Sequence, residues 1–96
     1  MYQALDPLLL SQLRLAIMSF LVVTQSAEFN VLKEKTSATA GNLSVQIAKL
    51  QDAGYITVEK SFRNNYPLTI CRITPAGVSA FEAFFNNLKG YIESSE

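Results

Sequence analysis

Four side chains between residues 42 and 49 have the types and the spacing to bind base edges in a DNA groove. They are Asn42, Val45, Gln46 and Lys49. Asn and Gln can each bond two atoms of an adenine edge, Val can touch a thymine methyl group, and Lys can reach guanine or phosphate. Their spacing of i, i+3, i+4 and i+7 puts all four on one face of an α-helix. A helix face that only contacts solvent has a similar composition, so the neighbouring elements must decide between the two interpretations.

The segment that carries these residues is predicted to be a helix over about residues 39–53. Thr39 is a candidate N-cap, and Gly54 is typical of a helix C-terminus. The apolar positions fall on a different face, which we expect to be buried, and they are Leu43, Ile47 and Leu50. The face that carries the four residues is therefore predicted to point outward.

The first predicted helix covers about residues 7–23 and has two apolar faces. Asp6 and Pro7 are a typical helix start, because Asp accepts bonds from free amides and Pro is tolerated at the first position. The inward face is formed by Leu10, Leu13, Ile17, Phe20 and Leu21, and the outer face by Leu8, Leu15, Met18 and Val22. A helix with two apolar faces is buried on both. We therefore expect a second copy of the chain to cover the outer face.

The elements after Gly54 change from a helical to an alternating pattern and back. A hairpin is predicted over about residues 55–73, with its turn at residues 63–65. A last helix, about residues 75–92, begins at Thr74 and Pro75. Its main apolar stripe is Val78, Phe81, Phe85, Leu88 and Ile92, widened by Phe84 and Tyr91. Phe84 and Tyr91 are assigned to the same dimer contact as the outer face of the first helix; a ligand pocket is the alternative use of these aromatic residues.

The order of elements predicts one domain over residues 1–96, mainly α-helical with a small β-hairpin. A short second helix, about residues 28–36, completes a three-helix core, with a short extra strand near Phe29. Three helices, a two-stranded wing and a C-terminal helix form a winged helix-turn-helix, whose third helix enters the DNA major groove. We call this third helix the recognition helix.

The charges are few and unevenly distributed. Charged residues make up 17% of the 96, the net charge is zero, and six of the eight lysines and arginines lie within residues 33–72. Phosphate contacts from the second helix and the wing are assigned to Lys33, Lys35, Lys60, Arg63 and Asn64. Scattered surface charge is the alternative interpretation of each lysine.

Catalysis and metal binding have no supporting motif. The chain has no histidine and one cysteine, which cannot build a four-ligand thiolate or imidazole site. It also lacks the glycine-rich loops that bind phosphate groups. We expect neither enzyme activity nor a metal or cofactor. Cys71 is predicted to pack as a small apolar strand residue, with a redox switch as the alternative.

Several features predict a cytoplasmic location. A lone cysteine favours a reducing compartment. The first residues, MYQALDP, do not have the pattern of a signal peptide. The apolar stretch of residues 15–23 is too short to span a membrane.

Six short motifs resemble those of small winged-helix transcriptional regulators, most closely the group related to the MarR and ArsR types. They are LDP at 5–7, RLAIM at 14–18, TAGNLS at 39–44, KL at 49–50, AGYI at 53–56 and ITPAG at 73–77. The resemblance covers about residues 5–84. It implies a homodimeric DNA-binding regulator whose first and last helices form the dimer contact. Relatives often have histidine at position 46 and a basic residue at position 68, where this chain has Gln46 and Leu68.

The resemblance also implies roles for individual residues. Thr39, Gly41, Asn42 and Ser44 match the start of the recognition helix, and Lys60, Arg63 and Asn64 match the wing. Base reading is assigned to Thr39, Asn42, Ser44, Val45, Gln46 and Lys49. The predicted function is sequence-specific binding of double-stranded DNA by a homodimeric transcriptional regulator; a small-molecule effector is left open. The alternative is a winged-helix protein–protein interaction module without DNA binding, which the neutral charge would suit.

Overall fold

The computed structural model describes residues 2–93 and has four α-helices and a three-stranded antiparallel sheet in that range. The elements are α1 Gln12–Thr24, β1 Ser26–Glu28, α2 Phe29–Thr36, α3 Ala40–Asp52, β2 Ile56–Arg63, β3 Tyr66–Ile73 and α4 Pro75–Glu93. Helices α1 to α3 form the core, and β2 and β3 form the wing. This arrangement confirms the predicted winged helix-turn-helix.

The N-terminal region differs from the single helix predicted over residues 7–23. Residues Pro7–Leu9 form a short 3-10 turn, in which the Asp6 carboxylate accepts a bond from the Leu8 amide at 3.0 Å. Helix α1 begins only after Ser11, whose hydroxyl accepts from the Arg14 amide. Two capping residues lie within five positions, and each one starts its own element because it satisfies free backbone amides.

The sheet has the strand order β1-β3-β2. The extra strand expected near Phe29 lies just before it, at Ser26–Glu28, and pairs with residues 70–72 of β3. Strands β2 and β3 are joined by a two-residue turn at Asn64 and Asn65, both with positive φ, at 51° and 67°. Positive φ at both central positions is the geometry of a type I′ turn, which Asn tolerates well.

The core lies between the helices and the inner face of the sheet. Its fully buried members are Leu9, Ile17, Met18, Leu21, Leu32, Leu43, Leu50, Ile56 and Cys71, with Ile47 and Phe84 almost as deep. The prediction that Cys71 packs as an apolar strand residue is confirmed. Burial raises the pKa of the Cys71 thiol, which disfavours the thiolate that a redox switch needs.

Two residues assigned to a dimer contact lie in the core instead. Met18 has no exposed surface and Phe84 is only 6% exposed, so neither can contact a second chain. On α4 the inward direction is set by Gly77, because a Cβ there would lie 2.2 Å from the Tyr55 carbonyl oxygen. Phe84 lies seven residues after Gly77 and shares its face, whereas Phe85 is turned outward and is 51% exposed.

The end of α3 is bonded to the start of α4. Gly54, at φ 80°, donates to the Gln51 carbonyl, and Tyr55 donates to the Leu50 carbonyl, which together form a Schellman motif. The Thr74 hydroxyl donates to the Gly54 carbonyl at 2.6 Å and accepts from the Gly77 amide at 3.0 Å. We call Asp6, Gly54, Tyr55, Thr74 and Gly77 the junction. It sets the position of α3 relative to the rest of the chain.

The Tyr55 hydroxyl extends the junction to the N-terminal segment. It donates to the Asp6 carboxylate at 2.5 Å. This hydrogen bond, with burial and the carboxylate charge, raises the pKa of Tyr55 to about 12.

Candidate nucleic-acid interface

Helix α3 presents the four residues of the predicted outward face on one side, and we call them the reading stripe: Asn42, Val45, Gln46 and Lys49. Leu43, Ile47 and Leu50 anchor the neighbouring side of the helix in the core. Asn42, Val45 and Lys49 are exposed, and Gln46 is half-buried. The helix begins at the Thr39 N-cap, whose hydroxyl accepts from the Asn42 amide at 3.2 Å. The outward direction is thus confirmed for Asn42, Val45 and Lys49 and only in part for Gln46. Contact of the stripe with bases stays a prediction.

A chain of hydrogen bonds restrains part of the stripe. Arg14 of α1 donates through its terminal nitrogen to Gln46 Oε1 at 2.5 Å. Gln46 Nε2 then donates to Asn42 Oδ1 at 3.1 Å. Gln46 is therefore not a freely projecting side chain, and its amide has a set orientation.

A groove of about 350 Å³ separates α3 from the wing. Ser44 and Gln51 line it from the helix, and Lys60 and Thr69 line it from the hairpin. Ser44 lies two residues from Asn42, so it faces the wing and not the reading stripe. Lys60 is exposed and makes no ion pair within residues 2–93. The groove therefore places a free cation beside α3.

The other candidate cation of the wing is differently placed. Arg63 lies an odd number of residues from Lys60 on β2, so the two side chains point to opposite faces of the sheet. Arg63 makes an ion pair with Glu28 of β1, with an N···O distance of 2.7 Å. Asn64 occupies the turn itself. The structure brings Lys60, but not Arg63, to the α3 side of the wing.

The two lysines of α2 also diverge. Residues two apart on a helix differ by about 200° in direction. Lys33 lies four residues after Phe29, which lines the groove between α3 and the wing, so Lys33 shares that side. Lys35 instead lines a shallow groove between α1 and α2 with Val23 and Thr24. The phosphate contacts assigned to both lysines stay predictions, and one surface cannot use both.

Comparison with known proteins shows the family to which this chain belongs. Residues 13–92 match the family model described as winged helix DNA-binding domain. This protein belongs to that family. The resemblance to winged-helix regulators is thereby confirmed, and so is the DNA-binding class of the domain.

Individual relatives agree with the family. An uncharacterized protein of Methanocaldococcus jannaschii is 36% identical to this winged helix protein over 74 residues, which are 77% of this chain and 80% of that protein. A transcriptional regulator homologue protein from Pyrococcus horikoshii has a similar structure, with a TM-score of 0.88 at 28% identity over 95% of this chain and 90% of its own. A MarR family regulator from Neisseria meningitidis shares the fold, with a TM-score of 0.66 at 15% identity over 90% of this chain and 60% of its own.

Two residues of this winged helix domain were missed by sequence reasoning. Arg14 is the sole charged residue of positions 7–27, and it shares a helix face with the buried Ile17 and Leu21. A lone cation on a buried face was the signal that could have identified it. Glu28, the partner of Arg63, had no comparable signal, because its role depends on the pairing of β1 with β3.

Within residues 2–93, no helix of this winged helix protein has the length and the hydropathy required to cross a bilayer.

Proposed function

We propose that this winged helix protein is a sequence-specific DNA-binding transcriptional regulator that acts as a homodimer in the cytoplasm. Helix α3 would enter the major groove, and the wing would lie on the adjacent backbone. The observation that carries the proposal is the largely exposed reading stripe on α3, with the free Lys60 of the wing in the groove on another side of the same helix.

The charge distribution supports this orientation. Phosphate contacts supply most of the affinity of such proteins and need cations near the element that enters the groove. Lys60 lines the groove between α3 and the wing, Lys33 lies on the same side of α2 as the groove-lining Phe29, and Lys49 belongs to the reading stripe of α3. The net charge of zero is therefore compatible with a local basic surface.

The homodimer is supported by apolar surface left exposed on the N-terminal turn, α1 and α4. Leu8, Leu15, Val22 and Tyr91 remain partly exposed, and Leu10 and Phe85 are 61% and 51% exposed. The radius of gyration of 14.7 Å exceeds the value of about 12.5 Å typical of a compact chain of this length. A second copy would cover the exposed side of these helices. Sedimentation at micromolar concentration should give a dimer, and a monomer would contradict this part of the proposal.

Selection of bound duplexes from a random pool tests the function directly. A homodimer should select two related half-sites about 34 Å apart, or a multiple of that distance. Gln46→Ala should relax the preference at one base pair and cost about 1–3 kcal/mol at its matched base. Thr57→Ala, exposed on the face of β2 opposite to Lys60, is the control and should select the same sites as the wild type.

Salt titration separates this function from its alternative. Phosphate contacts predict that affinity falls steeply as salt rises. Absence of binding to any duplex at about 50 mM salt would refute the proposal and favour a protein–protein docking domain.

A further inference from the structure

We infer that Arg14 sets the base preference of the reading stripe. Because of Arg14, the stripe selects guanine over adenine opposite Gln46. The inference rests on the proposed DNA-binding function. It concerns a positioning residue, because Arg14 acts through Gln46 and does not itself contact a base.

Arg14 is held from two sides. It lies on the inward face of α1, and its Nε donates to the Leu8 carbonyl of the 3-10 turn at 2.6 Å. One terminal nitrogen donates to Gln46 Oε1 at 2.5 Å. No carboxylate pairs with it within residues 2–93. A guanidinium has donors only, so the amide of Gln46 must present its oxygen to Arg14 and its NH₂ group away from it.

This orientation is transmitted along α3. Since Gln46 Nε2 donates to Asn42 Oδ1, the oxygen of the second amide is also engaged. The Thr39 hydroxyl oxygen already accepts from the Asn42 amide. Each amide oxygen has thus used one of its two acceptor positions. The donors left are one N–H on Gln46, two on Asn42 and the hydroxyl proton of Thr39, so donors outnumber the remaining acceptor positions. The Lys49 ammonium adds further donors and no acceptor.

The reading stripe therefore offers more donors than acceptors to the major groove. An amide that reads adenine must accept from N6 and donate to N7 at once. Gln46 has one acceptor position and one N–H left for this, and its bonds to Arg14 and Asn42 fix their direction. Guanine presents two acceptors, N7 and O6, and suits a surface of donors. Val45, 52% exposed, adds an apolar contact that fits a thymine methyl group. The residue types alone favour adenine, whereas the hydrogen-bonded geometry favours guanine.

The test compares sites selected from a random duplex pool by the wild type and four variants. Gln46→Ala identifies the base pair that Gln46 contacts. At that position the wild type should favour guanine over adenine by roughly tenfold. Arg14→Met removes the donors but keeps an unbranched apolar chain, so it frees Gln46 Oε1. The ratio of guanine to adenine at that position should then fall by roughly tenfold. A merely structural role of Arg14 would change overall affinity and leave this ratio unchanged.

A second variant keeps the inference testable if Arg14→Met does not fold. Gln46→Glu preserves an oxygen for Arg14 and removes the N–H donors, so guanine should no longer be favoured at the mapped position. Arg72→Met, on the outer face of β3, is the matched loss of an arginine and should leave the ratio unchanged.

The outcomes separate the two proposals. If the wild type binds DNA but selects adenine at the mapped position, or if folded Arg14→Met keeps the wild-type ratio, this inference is wrong and the DNA-binding function stands. If the wild type binds no duplex, the proposed function itself is wrong.

Discussion

The C-terminal end of α3 and its exposed side have opposite properties. At its C-terminus the junction leaves no space for a Cβ at Gly77. The Gly54 and Tyr55 carbonyls both accept hydrogen bonds from Thr74. Along the preceding turns, the reading stripe is largely exposed. One helix is thus anchored at one end and accessible along its side. The comparison teaches that orientation of the helix and chemistry of its surface depend on different residues, which mutations can separate.

The largest expected effect follows from adding one methyl group at the junction. Gly77→Ala would place a Cβ against the Tyr55 carbonyl oxygen and the Ile73 side chain. Since the backbone must move to relieve this contact, the free energy of unfolding should fall by about 1–3 kcal/mol or more. Gly41→Ala is the matched control, because nothing lies within 4 Å of its Cβ position. It should stabilise α3 by about 0.5–1 kcal/mol. Urea unfolding of both variants measures the difference; similar stabilities would refute the distinction.

A second effect concerns the bond between Asp6 and Tyr55. Asp6→Ala removes an acceptor for the Leu8 amide and for the Tyr55 hydroxyl, and should cost about 1–2 kcal/mol. It should also lower the pKa of one tyrosine from about 12 towards its ordinary value near 10. Tyrosinate absorbance during alkaline titration measures this change. Tyr55→Phe identifies the residue, because the group with the highest pKa should disappear.

The same bond predicts a pH dependence of stability. The pKa of Tyr55 is higher in the folded state than in the unfolded chain, so folding favours the neutral phenol. This stabilisation is fully present below about pH 10 and is lost as the pH rises through about 12. Tyr55→Phe should lack this alkaline component; an unchanged profile would contradict it.

On the wing, Lys60 and Arg63 are expected to contribute differently to DNA affinity. Lys60→Ala should lower affinity and reduce the slope of log affinity against log salt by about 1, because a free cation is lost. Arg63→Ala should change the slope less, because Glu28 already pairs with that guanidinium. Glu28→Gln should raise affinity by releasing Arg63. Filter binding across a salt series measures all three variants, and equal slopes for Lys60→Ala and Arg63→Ala would contradict the placement of the two cations.

The smallest effect is expected on α2. Lys33→Ala should reduce the salt slope by somewhat less than 1, whereas Lys35→Ala should leave it unchanged, since Lys35 borders the groove between α1 and α2. Neither should alter the free energy of unfolding by more than about 0.5 kcal/mol. A larger slope change for Lys35→Ala than for Lys33→Ala would reverse the orientation of α2 proposed for the complex.

The sequence alone determined the order of elements and the inward side of α3. Leu43, Ile47 and Leu50 repeat with the helical period, and Thr39 and Gly54 mark the ends. These signals are local, because caps and periodicity act over one or two turns. The same locality explains an error at the N-terminus, where Asp6 and Ser11 are both good caps and the sequence could not show that each starts an element.

Only the tertiary structure decided which apolar faces are covered and which polar groups remain free. Met18 and Phe84 point inward because α1 and α4 pack with those faces against the core. On α4 the close approach of Gly77 to Tyr55 fixes that orientation. The amide orientation of Gln46 depends on Arg14, 32 positions earlier in the chain. Such pairs form when packing brings distant segments together, and no local pattern encodes their distance or direction.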